Sequence, residues 1–80
     1  MLTNKNQVVL KALGEKLHQQ RKAKKLSLRQ LASIADVDYS QIDKIEKGRL
    51  NITIITLISI ADALEMSPGE LLDYNPEERP

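Results

Sequence analysis

The stretch "SLRQLASIADVDYSQIDKIEKG", residues 27–48, decides the fold. Ser27 and Gln30 stand at the spacing of a capping box, in which the Ser oxygen accepts the N3 amide and the Gln side chain reaches back to the cap. A helix over about 28–35 is expected to start there. Asp38 and Gln41 repeat the spacing with an acidic cap, so Asp38 is expected to cap a further helix over about 39–47. Gly48 ends that helix, because glycine enters the left-handed conformation beyond a helix end without strain. Only about three residues, Asp36 to Asp38, join the pair, which forces the two helices to cross steeply. Asp36 takes the sharp point of the turn, since Asp tolerates the left-handed region better than most residues that carry a Cβ. Leu31, Ala32, Ala35, Val37, Ile42 and Ile45 then converge between the helices, and Tyr39, Ser40, Gln41, Asp43, Lys44 and Lys47 are left outside.

Outward from this centre the pattern stays helical. Leu10, Leu13 and Leu17 recur at helical spacing ahead of a basic run through Lys25, which predicts a long amphipathic helix over about 8–24. Thr53 caps a fourth helix whose expected apolar stripe is Ile54, Leu57, Ile58, Ala61 and Leu64. Ser67, Pro68 and Glu70 supply a cap, a first-position proline and a completed box for a short fifth helix over about 68–73. The β-branched run "NITIITLI" lacks a period of two, so no strand is expected. The expected fold class is all-α, a compact five-helix domain over residues 8–73, with flexible termini at 1–7 and 74–80.

Composition narrows the function classes. Eighty residues suffice for one small core and one site. The chain has no Cys and one His, too few ligands for a zinc centre, so no metal and no cofactor are expected. No apolar run reaches the roughly 20 residues of a membrane span, and the N-terminus lacks the apolar core of a signal peptide, which makes a cytoplasmic location the expectation. No phosphate loop, activated nucleophile or paired buried carboxylates stand out, so an enzyme is not expected. The short stretch after the fifth helix makes the expectation one without a small-molecule ligand domain. The net charge is only +1, but residues 1–26 carry seven Lys or Arg against one acid, and the remainder carries five against ten. That asymmetry predicts one positive face. His18 is expected on the helix surface, facing solvent and without a role.

The exposed face of the helix that starts at Tyr39 carries hydrogen-bonding groups of modest length at a helix N-terminus, as reading base edges in a major groove requires. At this point the sequence resembles the lambda-repressor-like helix-turn-helix family (XRE or Cro type), over residues 13–48 and 51–72 without a gap. The resemblance implies a transcriptional regulator, a repressor among the possibilities, that binds double-stranded DNA with residues 39–47 as the recognition helix. Carried over, Tyr39, Ser40, Gln41 and Lys44 are the base-contacting candidates. Leu28 stands where many members carry a phosphate-binding Gln, Lys25 and Asp36 replace common glycines, and Gln20 replaces a frequent aliphatic residue. Lys22, Lys24, Lys25, Arg29, Lys47 and Arg49 are the phosphate candidates, since phosphate contacts position the protein and supply most non-specific affinity. RNA is the weaker partner: two Tyr with no Phe or Trp give almost no stacking platform. The competing class is a non-DNA-binding oligomerisation or partner-binding module, for instance of the antitoxin type.

Two further expectations concern pairs of residues. Arg21 lies one turn beyond Leu17, and Glu46 follows Ile45, so both reach the junction of the first and third helices; family members often pair these positions, and a partly buried structural ion pair is expected. Ile52 and Ile55 exceed what the core of the fourth helix demands, and with Leu50 they form the expected contact of a homodimer. The alternative is that Ile52 and Ile55 extend the core against Val8 and Val9.

Overall fold

The computed structural model describes residues 4–73, and the expectations about residues 1–3 and 74–80 lie outside them. Five helices follow in order: α1 Asn4–Ala23, α2 Leu28–Ala35, α3 Tyr39–Glu46, α4 Ile54–Ala63 and α5 Pro68–Leu71. No strand occurs among the described residues. α1 packs against α3 and α5, α2 against α3 and α4, and α4 against α5. The core at their centre comprises Leu13, Leu17, Leu31, Ala32, Ala35, Ile42, Ile45, Leu57, Ile60, Ala61, Leu64 and Leu71. α1 begins at Asn4, four residues before its expected start, because the polar run ahead of Val8 contains no helix breaker.

The helix starts follow their caps. Ser27 Oγ accepts the Gln30 amide at 3.0 Å while the Ser27 amide donates to Gln30 Oε1 at 2.8 Å, and Ser67 and Glu70 make the same reciprocal pair at the head of α5. Thr53 Oγ1 accepts the Thr56 amide at 3.1 Å. α3 departs from expectation. Asp38 occupies the cap position, but its side chain accepts no backbone amide; Ser40 Oγ donates to Asp38 Oδ2 at 3.4 Å instead. A carboxylate at a cap competes between the N3 amide and any nearby hydroxyl, and Ser40 supplies one.

The helix ends share one device. At Lys25, Asp36, Gly48 and Glu65 the backbone turns left-handed, with φ near 60° at the first two and the last and 71° at Gly48. In each case the following amide reaches back five residues, as Val37 N–H does to Ala32 O at 3.0 Å and Arg49 N–H to Lys44 O at 2.9 Å. These bonds satisfy carbonyls that a helix end leaves without partners. The turn at Asp36 thereby fixes the angle between α2 and α3.

The buried stripe of α4 differs from the expected one. Leu57, Ile60, Ala61 and Leu64 face inward, whereas Ile54 is 66% exposed and Ile58 is also exposed. In "IITLISIADA" seven of ten residues are apolar, including four Ile and one Leu, so more apolar side chains are present than one buried stripe can hold; Ile60, on the i+3 register from Leu57, takes the buried place assigned to Ile58.

Candidate nucleic-acid interface

α3 buries Ile42 and Ile45 and turns Tyr39, Ser40 and Lys44 to solvent, with Gln41 and Asp43 at the margin. The four base-contacting candidates therefore lie within the first six residues of one eight-residue helix. α2 stands across its N-terminal end, and the Arg29 guanidinium carbon lies 4.7 Å from the Tyr39 ring centroid, over its face.

The six phosphate candidates fall into two groups. Lys24 Nζ donates to Glu65 Oε1 at 2.8 Å, and Lys47 Nζ donates to Asp43 Oδ2 at 3.0 Å, so these two cations are already partnered. Among the described residues, Lys22, Lys25, Arg29 and Arg49 form no ion pair, and neither does Lys44. Lys22 and Lys25 flank a shallow groove at the head of α2 that Ser27, Leu28 and Gln30 also line. Leu28 itself packs against the core, which explains an apolar side chain at that position.

A seam of α1 fixes α3 from behind. Lys11, Gly14, His18 and Arg21 recur at helical spacing along one strip, and each meets the C-terminal end of α3 or the turn after it. A Cβ on Gly48 would lie 3.0 Å from the Lys11 Cα, and one on Gly14 would lie 2.4 Å from the Ile45 carbonyl oxygen and 2.6 Å from that of Glu46. Backbone thus approaches backbone at Gly14 as only glycine permits.

Past that contact, Arg21 Nε donates to Glu46 Oε2 at 2.7 Å, Nη2 to Glu46 Oε1 at 3.1 Å, and Nη1 to the Leu26 carbonyl at 2.8 Å. Arg21 is only 6% exposed. The expected pair is present and forked, and it ties α1, the α1–α2 turn and α3 together. The bond to Glu46 raises the Arg21 pKa further, against burial. Burial alone pushes the Glu46 carboxyl up, but hydrogen bonds from Arg21 and His18 and the adjacent positive charge outweigh it, and its pKa falls below the ordinary value.

His18 corrects an expectation. Its Nδ1 lies 2.9 Å from Glu46 Oε1 and 3.2 Å from Arg21 Nη2, so it belongs to the cluster although half of its side chain is open to solvent. Nδ1 carrying a proton donates to Glu46, and without one it accepts from Arg21; one tautomer serves one contact. Gly14 also went unread, although an isolated glycine inside a helical pattern costs roughly 1 kcal/mol and usually has a packing reason. The residues expected at a dimer contact separate: Leu50 and Ile52 are half-buried against the core, while Ile55 is 72% exposed beside exposed Ile54 and Ile58. Ile52 therefore follows the core alternative in part, and Ile55 does not. Among the described residues no group of His, Asp and Glu is placed to hold a metal, and no helix is long and apolar enough to cross a membrane.

This geometry has close parallels. The helix-turn-helix family model matches residues 17–71. An uncharacterized HTH-type transcriptional regulator of Rickettsia prowazekii is 39% identical over 73 residues, covering 88% of this chain and 53% of its own length. A counterpart in Rickettsia conorii is also 39% identical over 73 residues, with 88% and 55% covered, so the chain spans about half the length of these relatives. Among solved structures, the restriction-modification controller protein of Aeromonas hydrophila superposes with a TM-score of 0.76 at 34% identity, over 78% of this chain and 94% of that one. An HTH_3 family transcriptional regulator of Vibrio cholerae reaches 0.81 at 29% identity, over 90% of this chain and 40% of that one. The two Rickettsia proteins and the Vibrio protein are named as transcriptional regulators, and none of the four as an enzyme. With its capped α2, its left-handed turn at Asp36 and its polar α3, the chain belongs to the lambda-repressor-like helix-turn-helix family of transcriptional regulators.

Proposed function

We propose that this chain binds double-stranded DNA in a sequence-specific manner, with α3 in the major groove of an inverted-repeat operator. The observation that carries the reading is the exposed face of α3, where Tyr39, Ser40 and Lys44 stand clear of the core and Arg29 of α2 lies over the Tyr39 ring; Lys22, Lys25 and Arg49 are exposed and, among the described residues, form no ion pair. Ser40 and Lys44 offer donors of a length that suits base edges, and the exposed cations suit phosphates. Lys24 and Lys47 contribute less, because a phosphate must first compete with Glu65 or Asp43 for each.

Enriching random duplexes on the purified protein tests this, and recovery of no common sequence at low salt rejects it. Ser40→Ala or Lys44→Ala should relax preference at one or two base pairs and cost about 1–3 kcal/mol each. Lys25→Ala should weaken all sequences alike and lower the slope of log affinity against log salt by about one unit. An enriched motif unchanged by Lys44→Ala removes Lys44 from the base-reading set.

The reading includes a homodimer on DNA, with recognition helices about 34 Å apart to enter successive turns of the groove. Ile54, Ile55 and Ile58 support it, since three exposed isoleucines on one short helix are costly to leave in water. Ile55→Glu should shift stability by no more than about 0.5 kcal/mol, as for other surface positions, and abolish dimerisation and tight operator binding. Sedimentation with and without the operator decides: a variant that still dimerises and binds normally places the interface elsewhere.

A further inference from the structure

Arg29 and Tyr39 come from different helices, yet the guanidinium lies over the ring at 4.7 Å, within the range of a cation–π contact. A guanidinium carries five donors, and among the described residues the Arg29 side chain makes no hydrogen bond, so its contact with the ring leaves them open to a ligand. Among the described residues no carboxylate pairs with Arg29, whereas Lys24 and Lys47 are each held by one. Arg29 is therefore restrained in orientation and open in its hydrogen bonding. It also stands one residue after Leu28, whose half-buried apolar side chain packs against the core and has no hydrogen bond to offer a phosphate.

Resting on the DNA-binding reading above, we propose that Tyr39 is a positioning residue that holds Arg29 as a pre-oriented fork for one backbone phosphate, and that Tyr39 does not itself read a base. In a helix-turn-helix the first helix of the pair crosses the sugar-phosphate backbone while the second enters the groove. A guanidinium on α2 meets phosphate oxygens there, and its fork matches two of them. A long side chain that reaches its partner already ordered loses less freedom on binding. The α1 seam restrains α3 at its far end, and this stack restrains it at the near one.

A double-mutant cycle on the duplex recovered from the random pool tests the proposal. Tyr39→Phe, which keeps the ring and removes the hydroxyl, should bind within about twofold of the wild type. Tyr39→Leu and Arg29→Ala should each weaken binding by about tenfold, and the double variant should be within about twofold of either single one, because both remove the same unit. Arg29→Ala should reduce the salt slope by about one unit and leave the preferred sequence unchanged. Arg29→Lys should not restore affinity, since an ammonium has no planar fork. In the DNA-free protein, upfield ring-current shifts of the Arg29 side-chain protons should be present in the wild type and in Tyr39→Phe, and lost in Tyr39→Leu. A changed base preference in Tyr39→Phe, single losses that multiply to about a hundredfold, or an absence of the ring-current shifts in the wild type overturns the proposal. If no duplex is recovered by the wild-type protein, the DNA-binding reading falls and this role falls with it; ring-current shifts that persist then mark the stack as structural only.

Discussion

Glu46→Gln should lower the unfolding free energy by about 3 kcal/mol at neutral pH, near the bottom of the 3–5 kcal/mol range for breaking a buried ion pair. The substitution preserves shape and volume, so packing changes little, but it leaves the buried Arg21 guanidinium facing a neutral amide. The bond from Arg21 Nη1 to the Leu26 carbonyl survives, which is why the lower end of the range applies. With 8% of the Glu46 side chain and 7% of that of Arg21 exposed, solvent cannot make good the lost charge. pH supplies a second test. The folded protein holds the Glu46 carboxyl below its ordinary value, so the stability it contributes is present above the unfolded-state pKa, about 4.3, and is lost as the pH falls through the depressed folded-state value. The stability difference between wild type and Glu46→Gln should thus shrink as the solution is made more acidic than the unfolded-state value. Urea unfolding at successive pH values is the measurement, and a loss below about 1 kcal/mol at pH 7 would make the pair equivalent to an exposed one.

The parts of this fold that the sequence makes legible are those set by local chemistry. Ser27 with Gln30, Thr53, and Ser67 with Glu70 start helices where the chain satisfies its own amides within four residues, and each does so as read. Asp36 and Gly48 end helices for an equally local reason. Arg21 and Glu46 needed helix phase together with a resemblance to relatives, because 25 residues separate them. What escaped were features decided by how helices meet. The buried face of α4 is not legible because seven of its ten residues are apolar, and Ile54 and Ile58 compete with Leu57 and Ile60 for the inner face. His18 looked like an exposed residue and in half of its surface is one; its contact with Glu46 exists only once α1 lies across the end of α3. At the candidate interface, residue types gave the cations, but only the structure separates partnered Lys24 and Lys47 from unpaired Lys22, Lys25, Arg29 and Arg49.

Gly14→Ala should destabilise the protein by about 2–3 kcal/mol, opposite in sign to what helix propensity predicts. In an exposed helix interior the same exchange stabilises by roughly 1 kcal/mol, because Ala loses less backbone freedom than Gly. Here the added Cβ would lie 2.4 Å from one backbone carbonyl oxygen and 2.6 Å from the next, and neither atom can swing aside as the tip of a side chain would. Relief requires α1 to lift from the end of α3, and overpacking of this kind costs about 1–3 kcal/mol or more. The displacement also stretches the Arg21–Glu46 fork, which lies two turns further along the same strip, so the clash and the weakened ion pair act together and exceed the gain in propensity. For a chain of this length, whose total stability is on the order of 4–12 kcal/mol, such a loss is large. Gly69→Ala is the control: its Cβ would find nothing nearer than Ser67 Oγ at 3.9 Å, and the exchange should be neutral or slightly stabilising. Thermal melts of the two variants settle the sign. A Gly14→Ala protein as stable as the wild type would mean that α1 and α3 are not held at the separation that gives α3 its rigid footing.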